Sequence, residues 1–509
     1  MSRAEIRVSI ISMVTMLALS IAGPAFAQGF PGGVHEAFGS RFHAAPHTST
    51  IPPFQPNRTD IIGRWNEITI DASGLDHTPV APGDTRVFGE QFGPTRASRA
   101  VAIVQIAVFD AVNAIVGGYH SYTGITPVHV ACSIDAAVAQ AAHDTLVAMF
   151  PSQTATFDTF LAQDLSRIKP NGTPKTRGIN LGKSAAAAIL ALRANDGSAI
   201  PEPKIGVGFF TSNDPGKWRK DPIGNSPLAL GAFWGEVTPF AMQSSDQFRV
   251  PPPPALTSPE YTAAYDDVKA IGGDGNVTPS TRTTDQTDIG IFWAYDGTPS
   301  LCAPPRLYNQ ILLHLADQLG TSKNVEQFAR LLAVANVAMA DAGIAIWESK
   351  YFYQYWRPIT GIRESDPGTG PSMLGDGNPD TAGDTGWMPL GAPASNLAGP
   401  NFTPPFPSYP SGHGGFGGAL FETLRLFYGT DNISFTIVSD ELNGVTKDHN
   451  GNIRPLLPRS YTSFSQAMEE NGQSRIYLGI HWSFDKTEAI AQGKNVADYV
   501  FAHAFTPVH

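Results

Sequence analysis

The chain has 509 residues, 42% of them hydrophobic, and a formal net charge of −11. That apolar fraction excludes a disordered chain, and the length allows one large core or more than one domain. The acidic balance argues against general binding to nucleic acid or to an anionic membrane, though it leaves room for a local cationic pocket.

Residues 1–27 read as an export signal. Arg3 and Arg7 make a positive start, Val8 to Ala22 is an apolar run short for a bilayer span, and Ala25-Phe26-Ala27 supplies a small-residue cleavage site before Gln28. The mature protein is therefore expected outside the cytoplasm, secreted or periplasmic. No later run is expected to span a membrane. Residues 28–95, rich in Gly, Pro, Thr and His, read as a loop-rich N-terminal segment. Cys132 and Cys302 are too few for a disulfide framework or a cysteine zinc site, and whether they pair stays open.

From Arg96 the pattern becomes helical. Arg96 to Val116 is almost continuously apolar and predicts a central core helix, with Ala131 to Met149, Phe157 to Ile168 and Ile179 to Asn195 as partners. Residues 197–280 fall back to Pro/Gly/Ser-rich sequence, which reads as a long loop or a boundary between halves. Helices resume at Asp285 to Ala294, Arg306 to Leu319 and Val325 to Lys350. A second long loop, Gly361 to Pro410, leads to further helices over Gly412–Tyr428, Phe464 to Leu478 and Asp485 to His503. The expected fold is mainly α, a helical-bundle domain over residues 96–509. It would comprise two four-helix-bundle-like halves, 96–280 and a site-bearing 281–509, with long connecting loops.

Three clusters in the second half carry chemistry. In the first, Trp347 to Pro358, Lys350 and Arg357 stand seven positions apart, so a continuous helix would put both cations on one face, with Pro358 ending it. The second is Pro404-Pro405-Phe406-Pro407-Ser408-Tyr409-Pro410-Ser411-Gly412-His413, a stiff run that stops at a helix start. Ser411 can cap that helix, its free N–H groups favour an anion, and His413 sits in the first turn. In the third, Arg475 and His481 reach one pocket only if the helix stops near Gly479, and Asp485 can then orient the His481 ring. Alone, each is ordinary: an exposed basic stripe, a capped helix, a buried histidine satisfied by an aspartate. Together they place three cations, two histidines and a helix N-terminus. Two cations about 6 Å apart repel by roughly 3 kcal/mol at an effective dielectric of ~20, so such a pocket favours a tetrahedral oxyanion.

Lys350-x6-Arg357-Pro358, then Pro410-Ser411-Gly412-His413, then Ser474-Arg475-x5-His481-x3-Asp485 resembles the vanadium-dependent haloperoxidases and the related type 2 phosphatidic acid phosphatase superfamily. Phe292 to Gly297, Pro304 to Gln310, Asp341 to Ile344 and Glu441 to Val445 resemble companion segments of the chloroperoxidase branch. The resemblance implies a vanadate cofactor, with no haem or flavin, and hydrogen peroxide, halide and a small organic acceptor as reaction partners. It implies that His481 bonds vanadium, while Lys350, Arg357, Ser411, the Gly412 N–H and Arg475 hold vanadate oxygens. It further implies that His413 is the acid–base, that Asp296 partners Arg475, and that Trp347 and Phe406 line a halide pocket. Lys350 would polarise bound peroxide, and a neutral His413 would take its proton. The competing expectation is an exported acid phosphatase, with His481 as nucleophile, Asp485 orienting it and His413 as acid. A non-catalytic oxyanion binder would need neither histidine.

Overall fold

The computed structural model describes residues 26–45, 56–169 and 171–508. The expected export signal, except Phe26 and Ala27, lies outside the described residues. The protein is mainly α-helical. Its helices are α1 (Gly33–Phe38), α2 (Ile61–Asp76), α3 (Pro94–Val116), α4 (Ile134–Met149), α5 (Thr154–Arg167), α6 (Thr173–Arg193) and α7 (Pro259–Ile271), then α8 (Thr284–Phe292), α9 (Pro304–Gln318), α10 (Val325–Tyr353), α11 (Pro358–Arg363), α12 (Gly412–Tyr428), α13 (Phe464–Tyr477) and α14 (Ser483–His503). Two antiparallel pairs of short strands tie loops together: β1 (His43–Ala44) with β2 (Leu397–Ala398), and β3 (Phe435–Ile437) with β4 (Arg459–Tyr461).

Two helices organise the core. α3 packs against α4, α6 and α10, while α10 packs in turn on α12 and α14. Both are long and apolar enough to cross a membrane, contrary to the expectation of no such later run. Their apolar windows are 89% and 100% buried inside the protein, so they serve as core helices here. α10 is buried almost continuously from Phe328 to Lys350, which delivers Trp347 and Lys350 into the interior.

α12 is built for close approach. A glycine inside a helix costs about 1 kcal/mol relative to alanine, yet α12 carries Gly414, Gly415, Gly417 and Gly418. A Cβ on Gly415 would fall 2.3 Å from Ile346 Cδ1 of α10, and one on Gly418 would fall 2.7 Å from the Ile490 carbonyl oxygen of α14. Gly493 of α14 answers from the other side, since its Cβ would lie 2.1 Å from the Gly415 carbonyl oxygen. The glycine run after His413 therefore seats α12 between α10 and α14 and fixes where its N-terminus points.

Four helices were not foreseen. α2 lies in the segment expected to be loops. Its Ile61, Ile62, Ile68, Thr69 and Ile70 are β-branched, and its buried side includes Arg64, Asn66, Thr69, Ser73 and Asp76, so no apolar stripe marks it. Its signal is the Asp60 carboxylate, which accepts the Gly63 N–H at 2.6 Å. α7, inside the 197–280 segment, starts with Ser258 as cap and Pro259 in its first turn, and packs on α11, α13 and α14 behind the third motif. α1 and α11 have six residues each, too few for a periodic pattern.

The first cation pair also departs from expectation, because Lys350 and Arg357 do not share a helix. α10 ends at Tyr353, with Gln354 left-handed at φ +50° and its N–H bonded to the Lys350 carbonyl. Residues 354–356 then pair with residues 216–218 through Trp218 N–H to Gln354 O and Trp356 N–H to Gly216 O. Arg357 is extended and precedes Pro358, the first residue of α11. Cys132 and Cys302 are both free; Cys302 is buried with its sulfur 2.9 Å from Ser73 Oγ.

Gly493→Ala should destabilise the protein by about 3 kcal/mol, the upper part of the range for overpacking a close-packed core, because backbone meets the new methyl on two sides. Chemical denaturation measures it, and an unchanged midpoint would contradict the close-approach account.

Candidate active site

The three motifs converge on one buried centre, and the proline-rich loop holds it together. Lys350 Nζ donates to the carbonyls of Pro407 (2.8 Å) and Ser408 (2.9 Å). Arg357 Nε donates to the Phe406 carbonyl at 3.0 Å, and its Nη1 reaches the Ile480 carbonyl at 2.8 Å. Three consecutive carbonyls of the loop thus anchor two cations. Pro404, Pro405, Pro407 and Pro410 carry no N–H, so at these positions the loop cannot form the internal hydrogen bonds that would turn those carbonyls elsewhere.

The remaining cation arrives from α13. Arg475 Nη2 lies 2.7 and 2.8 Å from the two Asp296 oxygens. α13 ends two residues later, and Gly479, at φ +71°, turns the chain so that His481 faces the same centre. A Cβ at Gly479 would also fall 2.4 Å from the Gly272 carbonyl, so glycine is required there twice over.

His481 Nδ1 is 2.8 Å from Asp485 Oδ2. The carboxylate accepts, so Nδ1 carries the proton and Nε2 keeps a lone pair. Arg357 Nη1 donates to that Nε2 at 2.9 Å. Asp485 Oδ2 also accepts the Trp482 N–H at 3.1 Å and the Ser408 hydroxyl. Burial pushes the Asp485 carboxyl up, and burial together with the three cations holds His481 well below the usual histidine range.

Ser411 is the N-cap of α12, its Oγ accepting the Gly414 N–H at 3.3 Å. Its N–H donates to the Asp485 carbonyl at 3.0 Å, which joins the second motif to the third. His413, in the first turn, donates from Nε2 to the Ala294 carbonyl at 2.5 Å, and this leaves Nδ1 as the acceptor of a neutral ring. Burial first, and then Arg475, hold His413 well below the ordinary histidine value. The Ala294 carbonyl and the Asp296 carboxylate flank Tyr295, a non-glycine residue at φ +44°, so one unusual turn serves His413 and Arg475 together.

A cavity of about 50 Å³ opens at this centre. Asp296, Trp347, Phe406, Gly412, His413, Arg475 and His481 line it; Lys350, Arg357, Ser411 and Asp485 stand behind, bonded to the lining residues or to the loop. Trp347 and Phe406 form an apolar wall with ring centroids 4.9 Å apart, and Lys350 Nζ lies 5.1 Å from the Phe406 ring. Phe38 of α1 also lines the cavity, a contribution from the segment expected to be loops.

The donors suit a tetrahedral oxyanion. Arg357 Nη2 and Arg475 Nε and Nη1 are buried without a hydrogen-bond partner among the described residues, and Lys350 has used two of its three N–H donors. Unpaired buried donors of this kind cost about 1–3 kcal/mol each unless something accepts from them. Among the described residues no group of three or more His, Cys, Asp or Glu could hold a bare metal cation. Vanadate, which needs hydrogen-bond donors for its oxygens and one nitrogen for its metal, fits this donor set.

Comparison with known proteins agrees with that geometry. Residues 330–509 match the family described as the VCPO second helical-bundle domain. The vanadium chloroperoxidase of Curvularia inaequalis is 30% identical over 510 residues, an alignment covering 85% of this chain and 80% of that one. Among solved structures, a bacterial vanadium-dependent iodoperoxidase superposes with TM-score 0.67 at 23% identity, over 88% of this chain and 98% of its own. The apo form of a bacterial vanadium-dependent chloroperoxidase does so with TM-score 0.59 at 16% identity, over 81% and 96%. The chain belongs to the vanadium-dependent haloperoxidases, on their chloroperoxidase-like branch.

Ser408, Tyr295 and Asn471, whose Nδ2 donates to the His413 carbonyl at 3.0 Å, take part in this site without having been singled out in the sequence. Ser408 stood inside a quoted motif, but an irregular loop has no period from which to read which way a side chain faces. Nothing in a tyrosine announces a positive φ.

In anion-free protein the His413 imidazole should titrate with a midpoint well below the ordinary histidine value of 6.5. Site-resolved NMR of the ring measures it, and a midpoint at 6.5 or above would contradict the burial and Arg475 argument.

Proposed function

We propose that the protein uses vanadate and hydrogen peroxide to oxidise iodide, bromide and, at mildly acidic pH, chloride to hypohalous acid. The overall balance is one peroxide, one halide and one proton giving hypohalous acid and water. The observation that carries the reading is the set of buried guanidinium N–H groups with no partner among the described residues, beside a His481 Nε2 whose lone pair meets only the Arg357 guanidinium.

His481 Nε2 would bond the vanadium, with Asp485 holding the ring through Nδ1. Lys350, Arg357, Ser411, the Gly412 N–H and Arg475 would hold the oxygens. Vanadate bound there supplies a Lewis acid that activates peroxide for two-electron transfer to halide without changing its own oxidation state. His413 accepts the proton of incoming peroxide at Nδ1, because Nε2–H is committed to the Ala294 carbonyl. Asp296 fixes Arg475 from behind. Lys350 keeps a third N–H for an oxygen held at this centre, and there it would withdraw electron density and favour attack by halide.

Trp347 and Phe406 keep the approach dry, so each cation acts through a lower dielectric than water would offer. Chloride is the hardest of the three halides to oxidise, and this wall favours it. A cavity of about 50 Å³ is far smaller than the ~150 Å³ that seats a benzene ring, so the organic acceptor meets the hypohalous acid outside it. Export by residues 1–27 would place the reaction outside the cytoplasm.

Halogenation of a phenolic dye tests the reading, using chloride, bromide or iodide as the only halide, with and without orthovanadate. Activity should appear only with orthovanadate, fall when phosphate competes, and include chloride near pH 5. Full activity in vanadium-free protein would sink the cofactor assignment. Bromide and iodide turnover without chloride between about pH 4 and 7, a window around the unperturbed histidine value, would sink the chloride assignment alone.

A further inference from the structure

Asp485 is unevenly loaded. Its Oδ2 accepts from His481 Nδ1, the Trp482 N–H and the Ser408 hydroxyl, whereas its Oδ1 is buried with no partner among the described residues. Ser408 Oγ also lies 3.4 Å from His481 Nδ1, so hydroxyl, carboxylate and imidazole form one compact triangle. Ser408 is fully buried, and its N–H is held by the Tyr355 carbonyl at 2.9 Å. The side chain is therefore delivered by a backbone anchored on both faces: N–H to Tyr355, carbonyl to Lys350.

We infer that Ser408 is a positioning residue for the histidine, acting through Asp485 to hold His481 in the orientation and tautomer that present Nε2 to vanadium. The inference rests on the proposal that His481 bonds vanadium. The physical case is geometric. A carboxylate held only by the imidazole and one backbone N–H can rotate about its Cβ–Cγ bond and offer the unpartnered Oδ1 instead. The hydroxyl of Ser408 is the side-chain donor that makes Oδ2 the better acceptor, and it approaches from the loop, opposite in sequence to α14. Asp485 is one bond removed from the ligand, where loss of a partner commonly changes metal affinity by about 10–100-fold, and Ser408, one bond further out, takes the lower end of that range. The substitution that removes the hydroxyl leaves the Ser408 carbonyl in place, so Lys350 keeps its anchor.

Two anions separate this role from a merely structural one. Orthophosphate stays four-coordinate and takes hydrogen bonds from Lys350, Arg357 and Arg475 without bonding His481. Orthovanadate takes the same hydrogen bonds and adds a nitrogen ligand. Equilibrium dialysis of the anion-free full chain against each anion therefore reads the histidine contribution as a ratio. Ser408→Ala should weaken orthovanadate binding about tenfold and leave the phosphate constant unchanged, and Ser408→Thr, which keeps the hydroxyl, should restore vanadate binding. His481→Ala should bring vanadate down to the phosphate level. If Ser408→Ala binds vanadate as wild type does while His481→Ala loses it, the role given to Ser408 is overturned and the vanadium ligand stands. If Ser408→Ala loses both anions equally, the serine acts through the loop and the inference is again overturned. If His481→Ala keeps wild-type vanadate affinity, the ligand assignment itself fails and the inference falls with it.

Discussion

The site depends on how its positive charge is held. Three cations are buried at one centre, and among the described residues only Arg475 of the three has an ion pair with a carboxylate. Lys350 and Arg357 are held by peptide carbonyls: Pro407 and Ser408 for the lysine, Phe406 and Ile480 for the arginine. A carbonyl orients a cation without cancelling its charge. The field therefore survives for a ligand, whereas an ion pair at each position would have spent it on stability. Burial pulls the Lys350 ammonium well below its ordinary value, with Arg357 next in effect, which is the signature of a charge lacking its counter-ion.

The fold follows from keeping that centre rigid. Proline removes donors from the loop, so its carbonyls face inward. Glycine in α12 and α14 lets helices meet at backbone distance, and this fixes the N-terminus that carries Ser411, Gly412 and His413. A second core of Tyr261, Tyr265, Trp356, Trp387, Tyr409 and Trp482 includes the chain neighbours of Arg357 and His481. Trp482 Nε1 donates to the Trp356 carbonyl at 2.9 Å, tying the third motif to the first across the interior. Preorganisation of this kind costs little at the moment of reaction, because the donors need not move when charge develops.

Much of this was legible in the sequence, and the exceptions have physical causes. Long apolar helices such as α3 and α10 were plain, because burial on every side leaves an unbroken apolar run. The site motifs were plain because cations, histidines and Pro-Ser-Gly-His are rare in combination. The stop at Gly479 followed from needing Arg475 and His481 in one pocket, and the structure has it there. α2 stayed hidden because it buries polar side chains satisfied by distant partners, as Arg64 is by Asp164 one hundred residues away. The shared helix for Lys350 and Arg357 failed because spacing alone cannot register a chain reversal at Gln354. Ser408 and Tyr295 act through orientation and backbone angle, which one-dimensional pattern does not encode.

The protein's own groups leave the cations of this centre incompletely compensated, and an oxyanion relieves them. Thermal unfolding of the anion-free protein, in a buffer without oxyanions and with rising orthovanadate, tests this most directly. A ligand that binds only the folded state adds about 2.7 kcal/mol at one hundred times its dissociation constant, so the unfolding temperature should rise steadily with vanadate and, at higher concentration, with phosphate. An unfolding temperature unmoved by either anion would contradict the account.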